Sequence, residues 1–148
     1  MRETALEVAR ALSSLGLKKG DVVGVVLPNC IEYPPLVLGC LYLGVVLTPI
    51  NPSYTPHEIS RQLNSSSARL VFSHCSLTEK TGKVLELSPL LQTVVMVGQE
   101  KTDPDLGLSW PDFLAVSSGS FPPQAEINLR SDVAILPYSS GTTGQSIV

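Results

Sequence analysis

Five short aliphatic runs constrain this chain most: 21–27, 45–47, 68–73, 93–97 and 132–136 consist mainly of valine, leucine, isoleucine and alanine. Charge enters them only at or beside the first residue, as at Asp21, Arg69 and Asp132. A strand with one wet face alternates apolar and polar residues. A run apolar at successive positions, such as Val22-Val23-Gly24-Val25-Val26-Leu27, reads instead as a strand covered on both faces. Between the runs lie stretches with helical spacing. Ala5, Val8, Ala9, Leu12 and Leu15 share one face of a helix over 4–15. Short buried strands alternating with helices predict an α/β fold: a doubly wound, mostly parallel sheet with helices on both faces.

The punctuation agrees with that order. Gly16 stands where a helix C-cap belongs. Asn29 with Glu32 has the spacing of a capping box, but Pro34 and Pro35 would fall in the early turns of that helix. A start at Pro34, where a missing N–H does no harm, predicts a helix over 34–44. Thr55-Pro56-His57-Glu58 carries the clearest local signal: N-cap, N1 proline and N3 glutamate, with Tyr54 and Ile59 spaced as a hydrophobic staple. Helices over 56–64, 77–87 and 110–116 follow, with loops over 98–108 and 117–128. There is no internal repeat.

Composition closes several alternatives. The 148 residues suit about one domain. Hydrophobic residues make up 43%, which excludes a disordered chain, and three cysteines without C-x-x-C spacing exclude a disulfide scaffold. Cys30, Cys40 and Cys75 read as free or buried thiols, and no metal site is expected. Only 16% of residues are charged, against roughly 25% in an average domain, so part of this surface is expected to be covered. The net charge is −3 and no basic run exceeds Lys18-Lys19, so nucleic acid is not an expected partner. The apolar, uncharged run 36–47 has twelve residues, short of the roughly twenty that a membrane span needs, and Pro49, Pro52 and Pro56 break its extension. Arg2, Glu3 and Glu7 give the first residues no signal-peptide character.

One stretch carries specific chemistry. Ser139-Ser140-Gly141-Thr142-Thr143-Gly144 follows directly on the last aliphatic run. Two glycines permit close backbone approach, and four hydroxyls with successive N–H groups can form a concave nest for phosphate oxygens. At the carboxyl end of a strand in an open α/β sheet, such a loop lies where ligands collect. The pattern is neither a Walker A loop, since no lysine follows Gly144, nor a G-x-S-x-G elbow, since Pro137 and Tyr138 precede Ser139. Spacing alone leaves open a plain Ser/Thr/Gly turn with no ligand.

The run 138–144 resembles the phosphate-binding signature of adenylate-forming enzymes, the acyl- and aryl-CoA ligases and beetle luciferases. Upstream, 15–29 (LGLKKGDVVGVVLPN), Tyr42-Leu43-Gly44 and 51–59 (NPSYTPHEI) resemble 4-coumarate–CoA ligases along the whole chain. The resemblance implies that 1–148 is part of a larger N-terminal domain, ending just after its phosphate-binding loop at 139–144. It implies ATP with Mg²⁺, CoA and a small carboxylic acid as reactants: an acyl-adenylate forms, and the CoA thiol then displaces AMP. Ser139, Ser140, Gly141, Thr142, Thr143 and Gly144 inherit the role of cradling the β- and γ-phosphates.

Departures from the pattern matter too. The family continues with Pro-Lys-Gly-Val one residue after the second glycine, whereas this chain reads Gln145-Ser146-Ile147-Val148, and no Lys or Arg follows Arg130. By the resemblance, the adenine pocket, the acid pocket and the C-terminal domain with its catalytic lysine lie beyond residue 148. No catalytic residue is therefore expected here, and adenylation by this chain alone is not expected. The alternative is a non-catalytic short form acting as a binding or regulatory module, pairing with a full-length ligase. The resemblance implies a cytoplasmic or peroxisomal setting, although Ser-Ile-Val is not the peroxisomal tripeptide. His57 reads as a solvated helix residue, His74 as a partnered loop histidine, and Trp110 as packing at the domain edge. Lys80 and Lys83 with Glu79 and Glu86 read as a solvated helix face.

Overall fold

The structure, a computed structural model, describes residues 1–140 and 146–147. Four of the aliphatic runs form strands β1 (Val22–Val26), β2 (Val46–Pro49), β3 (Leu70–His74) and β4 (Thr93–Val97), and a short β5 (Leu108–Ser109) completes one sheet. All neighbouring pairs in it are parallel and the order is β2-β1-β3-β4-β5. Helices α1 (Arg2–Ser14), α2 (Tyr33–Leu43), α3 (Pro56–Ser65), α4 (Thr78–Glu86) and α5 (Trp110–Ala115) alternate with the strands. The expected α/β architecture is thus observed.

Two-residue alternation divides the core between the two faces of the sheet. Val23, Val25, Leu70, Phe72, Val95 and Val97 meet α1, α2 and α5 through Val8, Leu12, Leu36, Cys40 and Phe113. Val26, Val71, Val94 and Met96 meet α3 and α4 through Ile59, Leu63 and Val84. Phe72 is edge-on to Phe113 at 5.3 Å and to Trp110 at 6.2 Å, so Trp110 belongs to an aromatic cluster that seats α5 beside the sheet edge.

Local signals set most of the helix ends. Thr55 accepts the Glu58 N–H at 3.3 Å while Glu58 accepts the Thr55 N–H at 2.8 Å, which completes the capping box. Helix α2 begins at Tyr33 without a side-chain cap, so Asn29 does not start it, and it ends on Gly44 at φ +73°. Two expectations fail. Residues 98–108 are not all loop, because Leu108 and Ser109 add a strand to β4. Residues 132–136 do not form a buried strand: one parallel bridge joins Ile135 to Leu47, and Val133 and Ile135 stay about half exposed (51% and 50%). The segment lies along the outer edge of β2, so its aliphatic side chains have a strand on one side only.

Candidate functional site

The approach to the loop is built from the edge of β2. The Leu47 N–H donates to Ala134 O at 3.0 Å and the Leu136 N–H donates to Leu47 O at 2.7 Å, so 134–136 runs parallel to β2. Thr48 is fully buried, and its hydroxyl donates to Leu136 O at 2.9 Å. Gln62 on α3, also buried, donates through Nε2 to Thr48 Oγ1 at 2.8 Å and to Pro49 O at 2.9 Å. Two residues beyond Leu136, the Tyr138 hydroxyl donates to Ser65 Oγ, on the last residue of α3, at 3.1 Å.

The loop itself begins in β6 (Ser139–Ser140), which pairs antiparallel with β7 (Ser146–Ile147). Its register sets Ser139 against Ile147 and Ser140 against Ser146. Of the six loop residues singled out from the sequence, Ser139 and Ser140 thus stand in this antiparallel pair. Gly141, Thr142, Thr143 and Gly144 lie outside the described residues.

Upstream, the strap over 122–132 is tied to the same side of the molecule. Ala125 N–H donates to Tyr42 O at 2.9 Å, and the Tyr42 hydroxyl donates to Pro122 O at 3.3 Å. Lys19 Nζ lies 2.6 Å from Asp132 Oδ2 and donates to Glu126 O at 2.7 Å. The Lys19 ammonium, with the Asn128 N–H behind it, holds the Asp132 carboxyl below the usual range.

The other candidates take bland roles. His74 Nδ1 accepts the Ser76 N–H at 3.2 Å and pairs with its hydroxyl at 2.8 Å, capping a short 3-10 turn as a partnered loop histidine. His57 is exposed on the first turn of α3. Lys83 pairs with Glu79 at 2.9 Å in solvent, but Lys80 is not merely solvated: its ammonium donates to Pro52 O at 2.8 Å and Tyr54 O at 2.9 Å, bracing the β2–α3 loop. Cys30, Cys40 and Cys75 are free thiols. Burial pushes the Cys40 thiol up, and burial followed by the Glu32 carboxylate pushes up Cys30. No three His, Cys, Asp or Glu side chains among the described residues come together to ligate a metal. No helix among them is long and apolar enough to cross a membrane. The void between β3 and α4, lined by Val26, Ser73 and Thr81, measures about 10 Å³ and is too small for a ligand.

Sequence reading singled out 139–144 and missed Thr48, Gln62 and Ser65, which hold the segment before it. These bonds span 14 to 88 positions, so no local pattern marks them.

Residues 1–146 match the family model described as AMP-binding enzyme. The probable 4-coumarate–CoA ligase 2 of Dictyostelium discoideum is 35% identical over 96% of this chain and 28% of its own length. The crystal structure of a long-chain-fatty-acid–CoA ligase from Archaeoglobus fulgidus superposes with a TM-score of 0.82 at 32% identity, covering 96% of this chain and 27% of that one. An anthranilate CoA ligase in complex with anthranoyl-AMP gives the same TM-score of 0.82 at 26% identity, over 97% of this chain and 27% of that one. The chain thus spans about a quarter of the length of the relatives it matches.

Proposed function

From the premise that the chain belongs to the AMP-binding enzyme family, we propose that it supplies the phosphate-binding part of the N-terminal domain of an AMP-forming acyl- or aryl-CoA ligase. In that reaction a carboxylate oxygen attacks the α-phosphorus of ATP, forming an acyl-adenylate and releasing pyrophosphate. The CoA thiol then attacks the acyl carbon, losing its proton, and AMP leaves. The role of this chain is confined to the leaving pyrophosphate. Hydroxyls of Ser139, Ser140, Thr142 and Thr143, with the N–H groups of 139–144, donate to the β- and γ-phosphate oxygens. Fixed neutral donors stabilise charge that develops on a leaving group without being consumed by it.

The observation that carries this reading is the tethered entry to the loop: Leu136 held at both backbone groups and Tyr138 held to α3, immediately before Ser139. The donor chemistry fits phosphate. The same residues offer no carboxylate for a metal, so Mg²⁺ enters this reading only as the companion of the nucleotide phosphates. In this reading 1–148 is a partial domain and 139–144 its loop. The test is calorimetric titration of Mg·ATP into the chain. Saturable binding, displaced by inorganic triphosphate but not by AMP, is expected. Absence of saturation below millimolar concentrations would overturn the reading, and equal displacement by AMP would move the site off the loop.

The reading as a binding module that pairs with a longer ligase has its own support. Ile31, Leu38, Leu41 and Leu129 are exposed on a chain with little surface charge, Ile31 by 87% and Leu129 by 93%. Sedimentation of the chain with a full-length relative is expected to show a complex under this reading. Independent sedimentation of the two rules it out.

A further inference from the structure

We propose that helix α3 positions the phosphate loop through a buried relay, Gln62 to Thr48 to Leu136, reinforced by the bond from Tyr138 to Ser65. This inference rests on the phosphate reading above and assigns positioning roles to Gln62 and Thr48, which lie outside the loop.

The relay has a fixed direction. A threonine hydroxyl carries one hydrogen, and here it is given to Leu136 O, so Thr48 Oγ1 accepts from Gln62 Nε2. The Gln62 amide spends its other hydrogen on Pro49 O, which locks the amide orientation. Thr48 has 0% exposure and Gln62 3%, in a region where polar groups are costly to bury unless they are bonded. A valine at position 48 would match the shape of threonine and the character of Val46 and Leu47 beside it. What the hydroxyl adds is a bond to a chain segment 88 residues away.

That segment is the entry to the loop. Gln62 and Ser65, three residues apart, lie on one face of α3 and act on opposite sides of Pro137, one through Leu136 and the other on Tyr138. Pro137 has a fixed φ and no N–H, so little torsional freedom remains between the two tethers. Residues 139–144 contain no Lys or Arg, so the donors they offer are neutral and act through their placement. Such donors are effective only when they are held in place before the ligand arrives.

The test compares the chain with Thr48→Val, Thr48→Ser and Tyr138→Phe variants by calorimetric titration of Mg·ATP and by amide hydrogen exchange. Thr48→Val is expected to weaken Mg·ATP binding roughly tenfold, the order of effect of losing one bond to a partly buried acceptor. It should also speed exchange at 136 and 138–140 while amides of β1, β3 and β4 keep their rates. Thr48→Ser restores both properties, and Tyr138→Phe, a change at a partly exposed position that does not threaten folding, gives a smaller loss of the same kind. Unchanged affinity in Thr48→Val overturns the proposal. So does a uniform rise in exchange across the sheet that Thr48→Ser fails to reverse. If the unaltered chain binds neither Mg·ATP nor triphosphate, the phosphate reading itself fails, which the first titration alone reveals.

Discussion

At position 40 a thiol sits with no exposed surface between α2 and the sheet, and burial alone pushes its ionisation up. The nucleophilic form of cysteine is the thiolate, so both access and chemistry protect it. Iodoacetamide at mildly alkaline pH is expected to modify Cys40 only after unfolding in urea, as read by peptide mass spectrometry. Modification of Cys40 in the folded chain at the rate of free cysteine would contradict its placement in the core. Thr55 and Glu58 illustrate a residue-scale feature readable from sequence, because their partners lie three positions apart. The Thr55 N–H, with its hydroxyl second, holds the Glu58 carboxyl below its usual range. Gln62 was not readable in this way. Its partner Thr48 lies 14 positions back, and nothing local distinguishes it from a surface glutamine.

Between elements, packing follows from small residues as much as from large ones. A Cβ placed on Gly39 would meet Val8 Cγ1 at 2.6 Å and Ala5 O at 2.8 Å, so the glycine lets α2 approach the backbone of α1. Gly39→Ala is expected to destabilise the fold by about 1–3 kcal/mol, the usual range for overpacking a core contact. A lower urea midpoint at unchanged slope would report it, and an unaltered midpoint would show that α1 gives way freely. The helices were legible from their 3.6-residue period and the four longer strands from their unbroken aliphatic runs. Strand β5 was not, since Leu108 and Ser109 are too few to show a period. The run 132–136 misled for the opposite reason: it has the aliphatic pattern, but only β2 lies beside it.

Across the whole molecule, the strap over 122–132 joins the loop's approach to α2 and to the β1 side of the sheet through Tyr42, Lys19 and Asp132. The Asp132 carboxyl is depressed in the fold, first by Lys19 and then by the Asn128 N–H, so its tether is fully present above the ordinary carboxylate range. It is lost as pH falls through the depressed value. Amide chemical shifts over 125–136 should move together on acidification below that range, and Asp132→Asn at neutral pH should reproduce the shifted positions. Shifts that stay fixed at acid pH would show that the tether contributes nothing to the strap. By itself, the order of aliphatic and amphipathic segments determined the α/β class and the alternation of helices with strands, because both depend on residues a few positions apart. Only the tertiary structure decided the strand order β2-β1-β3-β4-β5, the half-exposed edge at 132–136 and the support of the loop by Gln62, Thr48 and Ser65. Those depend on which crossovers pack on which face, and that is settled by burying the whole sheet at once rather than by any local preference.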